Sequence, residues 1–500
     1  MNNLDISKIL EAGAAAAMSI EQIIEKEIQD FLSSGKRRRM LVSQRYYVGE
    51  HEILNRKRLV IGEDGRLVED RNLANHKLVH LFVRKLVDQK VGYLLSKPLS
   101  IQTDNEAYHE ALSQFFNKKF LRLLKSVGKE AIKKGIGWIQ VFYNEQGELS
   151  FKRIPSEEVM PLWKDAEHTE LDALIRVYNV ETYEGTTKKI ITKVEFWDQE
   201  GVRRYIMGSR DYTPNTGSSL IPDIESVFAY NGHFVIEDED GGTTPYKWDR
   251  IPFIAFKYND DELPIIENVK SLVDDYDLLT SDNSNNISDT PNGIYVLTNF
   301  DGEDLGEFRR NISTYRAVKL RKEGSLDTIT IDINSEALTK HIEQLRKDIF
   351  ESGRGVDTQS EKFGNSPSGI ALKFLYADLD MDANDIETEF QASLEQLRWF
   401  IDVHLINNGL GDFTNEQVEF IFNRDILINE TDTISNLKDS AGMISDETRV
   451  SNHPYVQDPK KELERIKAEK KADMEEYGGL PGPGDPQPPK QPPAGGADDE

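Results

Sequence analysis

Three groups of residues have types and spacings that could carry chemistry. His76 and His80 stand four apart, the separation at which two imidazoles on one helix face can share a zinc ion. Asp274, Asp275 and Asp277 crowd the run "DDYD", and neighbouring carboxylates can hold magnesium beside a phosphate. Residues 363–380 read "FGNSPSGIALKFLYADLD", a Gly/Asn/Ser/Pro turn that runs straight into a helical pattern. Turns of that kind aim backbone N–H groups at anions.

Each group lacks what its chemistry needs. No H-E-x-x-H is present and no third ligand joins His76 and His80, so an ordinary helix face is expected there. Asp274 and Asp277 are i, i+3 while Asp275 points elsewhere, and no Lys or His base accompanies them, as on a solvated acidic helix face. A phosphate loop needs G-x-x-x-x-G-K-[ST]; Gly364 and Gly369 keep the glycine spacing, but Ile370 and Ala371 fill the Lys and Ser/Thr places. Position 368 is Ser rather than Gly, which also leaves a nucleophile elbow incomplete. The run "DGEDLGE" at 301–307 departs from the ligand order of an EF loop. No catalytic, cofactor or metal site is expected, and no enzyme activity.

The 500 residues exceed one ordinary core, and about three domains are the prior. Cysteine is absent, which removes disulfides, thiolate zinc sites and thiol nucleophiles together. The formal net charge is −27, a poor balance for gripping DNA or an anionic membrane, since phosphate neutralisation needs Lys and Arg. A conduit through which DNA must slide is the exception, because it should avoid tight binding. The first residues lack a basic stretch and a strong apolar run, and nothing approaches the ~20 apolar residues of a membrane span, so a soluble chain without a secretory signal is expected.

The elements that would position these residues follow from periodicity. Ser19 and Gln22 form a capping box ahead of Ile20, Ile23, Ile24, Ile28, Phe31 and Leu32 at helical spacing, an amphipathic arm. The basic "KRRR" of 36–39 reads as the start of the next helix, solvated or in contact with another subunit, with a nucleic-acid patch as the alternative. Apolar spacing predicts a helix over 75–95, and β-rich runs separated by turn residues fill 135–260. Pro264 opens a helix whose later part, "SDNSNNISD", is polar all round. A small module at 293–333 has strand, short helix and two strands. Ser335 caps a second helix that Gly353 stops as its C′ residue. After a Gly/Ser loop, Ser366 and Pro367 start a very long helix reaching Asn408–Gly409; a strand, shorter helices and a Pro/Gly-rich tail expected to be disordered complete the chain.

The order of long helix, small β-module, returning helix, Gly/Ser loop and very long helix resembles the portal proteins of tailed bacteriophages, nearest to those of long-tailed siphophages infecting Gram-positive bacteria. "YYVGEHEI" (46–53) is similar to the family's Y-Y-x-G-x-H segment, and 75–101 to its N…D-x-K-V-x-Y-L-L-G-K-P segment, with Ser96 where Gly is usual. "GNSPSGIALKF" (364–374) resembles G-N-x-S-G-x-A-L with one residue more; "VEFIFNRDILINETD" and "ISDETRVSNHPYVQDPKKELERI" resemble the last strand and the S-x-E-T…P…D-P…E stretch. Each motif is weak alone, but five in order across about 40–470 are specific.

The resemblance implies an α+β, multi-domain portal fold that forms a ring. Its parts would be an N-terminal helical arm (1–35), an α+β wing (36–262), stem helix 1 (263–289), a β-rich clip (290–333) and stem helix 2 (334–352). A tunnel loop (353–367), a spine helix and strand returning to the wing (368–430), a helical crown (431–475) and a disordered tail (476–500) would follow. It implies a ring of twelve at a capsid vertex of the virion, assembled in the host bacterial cytoplasm, with no membrane. Its partners would be the terminase large subunit, a head-completion or adaptor protein, scaffolding and major capsid proteins, and the double-stranded DNA in transit. The tunnel loop would bring Arg354, Gly355, Val356, Asp357, Thr358, Gln359, Ser360, Glu361, Lys362, Phe363, Gly364 and Asn365 to the DNA. Arg354 and Lys362 would touch phosphates while Asp357 and Glu361 keep the loop near neutral. Asp274, Asp277 and Asp282 would line the stem channel, and Phe308, Arg309, Arg310 and Tyr315 would meet partners at the clip. The rival classes are a metal-dependent nuclease built on Asp274 and Asp277 with a third carboxylate, and a scaffold or adhesion protein using the β-rich domain.

Overall fold

The computed structural model describes residues 19–61, 65–70, 73–208, 219–223, 232–237, 242–289, 294–298, 324–329, 335–359, 369–424, 430–453, 455–456 and 459–477. In chain order the helices are α1 (Ile20–Ser33), α2 (Gly35–Val48), α3 (Phe82–Leu94), α4 (Glu106–Phe115), α5 (Lys118–Lys134), α6 (Ile266–Asp289), α7 (Ser335–Ser352), α8 (Gly369–Asn407), α9 (Glu430–Asp439), α10 (Asp446–Ser451) and α11 (Pro459–Tyr477). Contacts divide the chain into two compact units, one of 1–360 with 375–426 and one of 361–374 with 427–500.

In the larger unit the β-rich region builds two sheets of three or more strands, beside a two-stranded pair of Phe234–Glu237 with Thr243–Tyr246. One is three-stranded, with strand Ile136–Tyr143 between Leu149–Ile154 and Phe253–Lys257. The other is five-stranded and antiparallel, running from Val159–Trp163 through Leu171–Glu184, Thr187–Trp197 and Val202–Met207 to Leu220–Pro222. The capping box forms as expected: Gln22 N donates to Ser19 Oγ and Ser19 N to Gln22 Oε1. The helix it opens is not a free arm. Ile24 and Ile28 are fully buried against Ile175, Val194, Phe196 and Tyr205 of the five-stranded sheet. The basic run starts α2, where Lys36 pairs with Glu262 and Arg37 Nε donates to the Glu157 carbonyl (3.3 Å).

The helix expected over 75–95 begins only at Phe82; residues 73–81 run without helix or strand. The reason is a side-chain ladder on α6. His76 N donates to Asn285 Oδ1 (2.6 Å), Leu78 N to Ser281 Oγ (2.9 Å) and His80 N to Asp277 Oδ1 (2.9 Å). Donors two residues apart on an extended chain are spaced by about 6.7 Å. Acceptors four apart on a helix are spaced by about 6.0 Å, so three rungs stay in register. The "SDNSNN" stretch is therefore not polar all round for solvent: Asp277, Ser281 and Asn285 are buried and serve as the neighbouring strand that 76–80 would otherwise lack. His76 and His80 do not share a helix face. His76 Nε2 lies 2.9 Å from Ser288 Oγ, and His80 Nδ1 lies 2.8 Å from Asp277 Oδ1.

The same geometry corrects the solvated acidic face on α6. Asp277 is inaccessible and receives His51 on its second oxygen, Nδ1 to Oδ2 at 2.6 Å. His51 Nε2 faces the Tyr46 carbonyl (3.1 Å), so both ring nitrogens have a partner. Asp274 accepts from Tyr46 Oη and from Lys270 (2.6 Å). Motif residues Tyr46 and His51 thus converge on α6, their rings stacked 4.3 Å apart.

Where α3 starts, Phe82 wedges between the two helices that flank the small module. Its ring meets Tyr276 of α6 edge-on at 5.0 Å and Phe350 of α7 at 5.9 Å. Helices α6 and α7 also approach at Asp275 and His341 (3.6 Å). Of the module between them, strands Ile294–Thr298 and Ser325–Ile329 pair antiparallel; the expected short helix and the strand "RAVKL" lie outside the described residues. Strand Glu419–Ile421, from "QVEFIFN", pairs with Ser100–Gln102. In the smaller unit, Ser445 caps α10 through Thr448 N (3.1 Å), and Lys470 of α11 lies 3.9 Å from Asp446.

Burial alone would raise the Asp277 carboxyl, but hydrogen bonds from His51 and His80 outweigh it and hold it below the ordinary 3.8. A depressed folded value contributes stability above the unfolded pKa, and that stability is lost as pH falls through the folded one. Asp277→Ala should cost about 3–5 kcal/mol at pH 7, because it strands His51 and the His80 amide. The penalty should shrink below about pH 4, measured as the difference in urea midpoints between wild type and variant.

Candidate functional site

The loop following α7 is described as far as Gln359, and its root is rigid. Helix α7 ends in a Schellman arrangement: Gly355 N donates to Phe350 O (2.8 Å) and Arg354 N to Glu351 O (3.0 Å). The left-handed C′ residue is Arg354 (φ 46°), not Gly353 as the sequence suggested. Gly353 is needed for another reason. A Cβ there would sit 2.6 Å from Leu86 Cδ1, and one on Gly355 would sit 2.3 Å from Leu86 Cδ2. The loop root lies flat on α3 because both glycines lack a side chain.

Side chains of α3 then hold it. Gln89 accepts from Val356 N (2.9 Å) and donates to Val356 O (3.0 Å), matching both backbone groups of one buried residue. Lys90, two per cent exposed, donates to Arg354 O (3.2 Å) and to Asp382 Oδ2 of α8 (2.7 Å). Tyr258 completes the centre by donating to Asp382 Oδ1 (3.1 Å). Burial pulls the Lys90 ammonium below its usual value despite Asp382, and it pushes the Tyr258 phenol well up. Asp357 is locked to Arg346 by two bonds (2.6 and 2.8 Å), which hold its carboxyl below 3.8.

Charges at the described root of the loop are matched in pairs. Arg354 is half exposed and bonds Asp385 (3.1 Å) with Asp382 at 3.9 Å, and Asp357 answers Arg346 rather than Arg354. Besides Arg354, Thr358 and Gln359 are exposed at the described root. Ser360, Glu361, Lys362, Phe363, Gly364 and Asn365, with the expected cap at Ser366 and Pro367, lie outside the described residues, as do the clip candidates Phe308, Arg309, Arg310 and Tyr315.

Of the three acids expected to line a stem, Asp274 and Asp282 stay about a third exposed and Asp277 does not. Asp282 takes a two-pronged bond from Arg56 (2.7 and 3.2 Å). A hydrolytic metal site would need Asp274 and Asp277 open on one face, whereas Asp277 is spent on two histidines and a backbone amide. Among the described residues no group of three or more His, Asp or Glu could hold a metal ion.

Sequence reasoning missed Gln89, Tyr258 and Asp382. The available signal was Lys90, a cation inside an apolar helical stripe, which requires a buried partner. The partner is the acid-rich start of α8, which is itself pinned. Arg424 binds Asp380, Glu387 and Asn384, and Tyr93 donates to Asp380 (3.0 Å), its phenol pushed up to about 12, chiefly by burial.

A sequence model of the family described as "Phage portal protein, SPP1 Gp6-like" matches residues 33–476. The portal protein of Bacillus phage SPP1 is 28% identical over 468 residues, covering 92% of this chain and 90% of its own length. The portal protein of Clostridium phage phiCD119 is 28% identical over 454 residues, covering 88% and 94% respectively. Among the described residues no helix is long and apolar enough to cross a membrane.

Lys90→Met should leave Asp382 buried without its cation and cost about 3–5 kcal/mol, with faster amide exchange at 354–357. The double variant Lys90→Met/Asp382→Leu should recover most of the stability, to within about 2 kcal/mol of wild type, in chemical denaturation. Equal losses in the single and double variants would count against a charge-pairing role.

Proposed function

The chain belongs to the SPP1 Gp6-like family of phage portal proteins, and from that premise we propose that copies of it close into a ring at one capsid vertex, twelve in the virion, and form the channel through which double-stranded DNA enters and leaves. Residues 36–262 with 368–430 form the wing, 263–289 and 334–352 the stem, 290–333 the clip, 353–367 the loop facing the DNA and 431–475 the crown. The terminase large subunit docks on the clip during packaging and an adaptor protein replaces it, while scaffolding and major capsid proteins meet the ring from the head side. The virion is assembled in the bacterial cytoplasm.

The observation that carries this is the family match over 33–476, which spans every segment from wing to crown. Support comes from the physics of the chain. A ring closes when one face of a subunit meets a different face of the next. A net charge of −27 suits a wall that repels a duplex without offering it a register to stick in. Arg354, the described cation of the loop, is already matched by Asp385, which leaves phosphate a weak competitor. Asp274 and Asp282, proposed for the channel wall, are each countered by a cation, Lys270 and Arg56.

Electron microscopy and native mass measurement of purified protein should show a radially symmetric ring with a central hole; monomers under all conditions would sink the proposal. Thr358→Arg/Gln359→Arg puts two extra cations per subunit on the exposed loop root. It should lower the DNA content of heads and make packaging more sensitive to low salt. Packaging indistinguishable from wild type would mean that this loop root does not face DNA.

A further inference from the structure

Away from the loop and stem, the larger unit carries a groove of about 1050 Å3 between α5, the turn joining strands Ile136–Tyr143 and Leu149–Ile154, and the end of α8. Its floor is aromatic. Phe151 meets Phe115 and Phe120 edge-on at 6.4 and 5.8 Å, and Leu410 at the border is 63% exposed. Its rim is basic, with Lys119, Arg122, Lys152 and Arg153 against the single carboxylate Glu148. Arg153 is spent on Glu130 (2.8 Å), Lys152 lies over the Phe142 ring (4.8 Å), and Glu148 is held by Asn144 (2.9 Å). Lys119 and Arg122 are exposed and have no ion-pair partner among the described residues.

Unmatched cations beside an apolar floor are unusual in so acidic a chain. We propose that this groove docks an acidic amphipathic segment of another protein, with apolar side chains on Phe115 and Phe151 and carboxylates on Lys119 and Arg122. The opening exceeds the usual size of a small-molecule site and suits a helix or extended segment laid across it. Two unpaired cations match two or three carboxylates rather than a continuous polyanion, and the chain's overall charge repels nucleic acid at long range. The inference stands independently of the channel, since none of its residues belongs to the proposed stem or loop.

The test uses the full chain and three fluorescent probes: an amphipathic peptide with Leu/Phe on one face and Glu on the other, its Lys-for-Glu counterpart, and an oligo(dT). In anisotropy titrations the Glu peptide should bind and the Lys peptide should not. Lys119→Glu/Arg122→Glu should weaken the Glu peptide about tenfold or more, or ~1.4 kcal/mol per tenfold, and added salt should weaken it too. Leu410→Asp should weaken it separately while leaving those cations in place. Failure of the Glu peptide to bind, or equal binding to the charge-reversed variant, overturns the proposal. Tighter binding of oligo(dT) through the same residues overturns it in favour of nucleic acid. A change in native assembly mass in Lys119→Glu/Arg122→Glu overturns it in favour of a second copy of this chain.

Discussion

The larger unit depends on how one helix satisfies one extended segment. Residues 76, 78 and 80 present backbone donors that neither sheet nor helix receives, and Asn285, Ser281 and Asp277 take them at successive helical turns. Each such bond contributes about 0.5–1.5 kcal/mol, so three in register favour this arrangement. The ladder sets where α3 can begin, and the beginning of α3 sets the register of everything that α3 touches. Phe82 falls between Tyr276 and Phe350, Leu86 under the two loop glycines, Gln89 on Val356 and Lys90 on Asp382. A shift of one residue along α3 would turn each of these contacts by about 100° around the helix.

Buried charge gives the contacts their uniqueness. Lys90 with Asp382, His51 with Asp277, and Glu130 with Arg153 each join different elements of the chain. Matched apolar groups of similar volume could replace such pairs at little cost, so their distinct contribution here is positional. An ammonium inside an apolar stripe tolerates one neighbour arrangement, whereas a leucine would tolerate several. For a chain proposed to repeat itself around a ring, a loop root placed identically in every copy is the useful result.

The loop after α7 is held at its described root. Up to Gln359 it is clamped by Schellman bonds, glycine contact and an Arg346–Asp357 fork, with cations and carboxylates matched locally. Matching at close range leaves little field for a passing phosphate, which suits transit better than capture. The groove on α5 is the opposite case: Lys119 and Arg122 have no ion-pair partner among the described residues, and its floor is apolar.

Local signals were legible wherever a property belongs to a short segment: the Ser19/Gln22 capping box, the apolar stripes of α6, α7 and α8, the β-rich run of 135–260 and the order of motifs that pointed to the family. The sequence by itself determined these because caps, periodicity and turns depend on neighbours within a few residues. It could not show that 75–81 lies outside the helix, since Leu78 and Leu81 mimic the helical spacing that truly starts at Phe82. Nor could it show that Arg354, not Gly353, bends left-handed, or that Asp277 faces two histidines instead of water. Those outcomes rest on partners about 200 or more residues away, as with Leu78 and Ser281, Asp277 and His51, and Lys90 and Asp382. Only the tertiary structure decided them, because a polar group's fate is settled by whichever donor or acceptor the fold brings within about 3 Å.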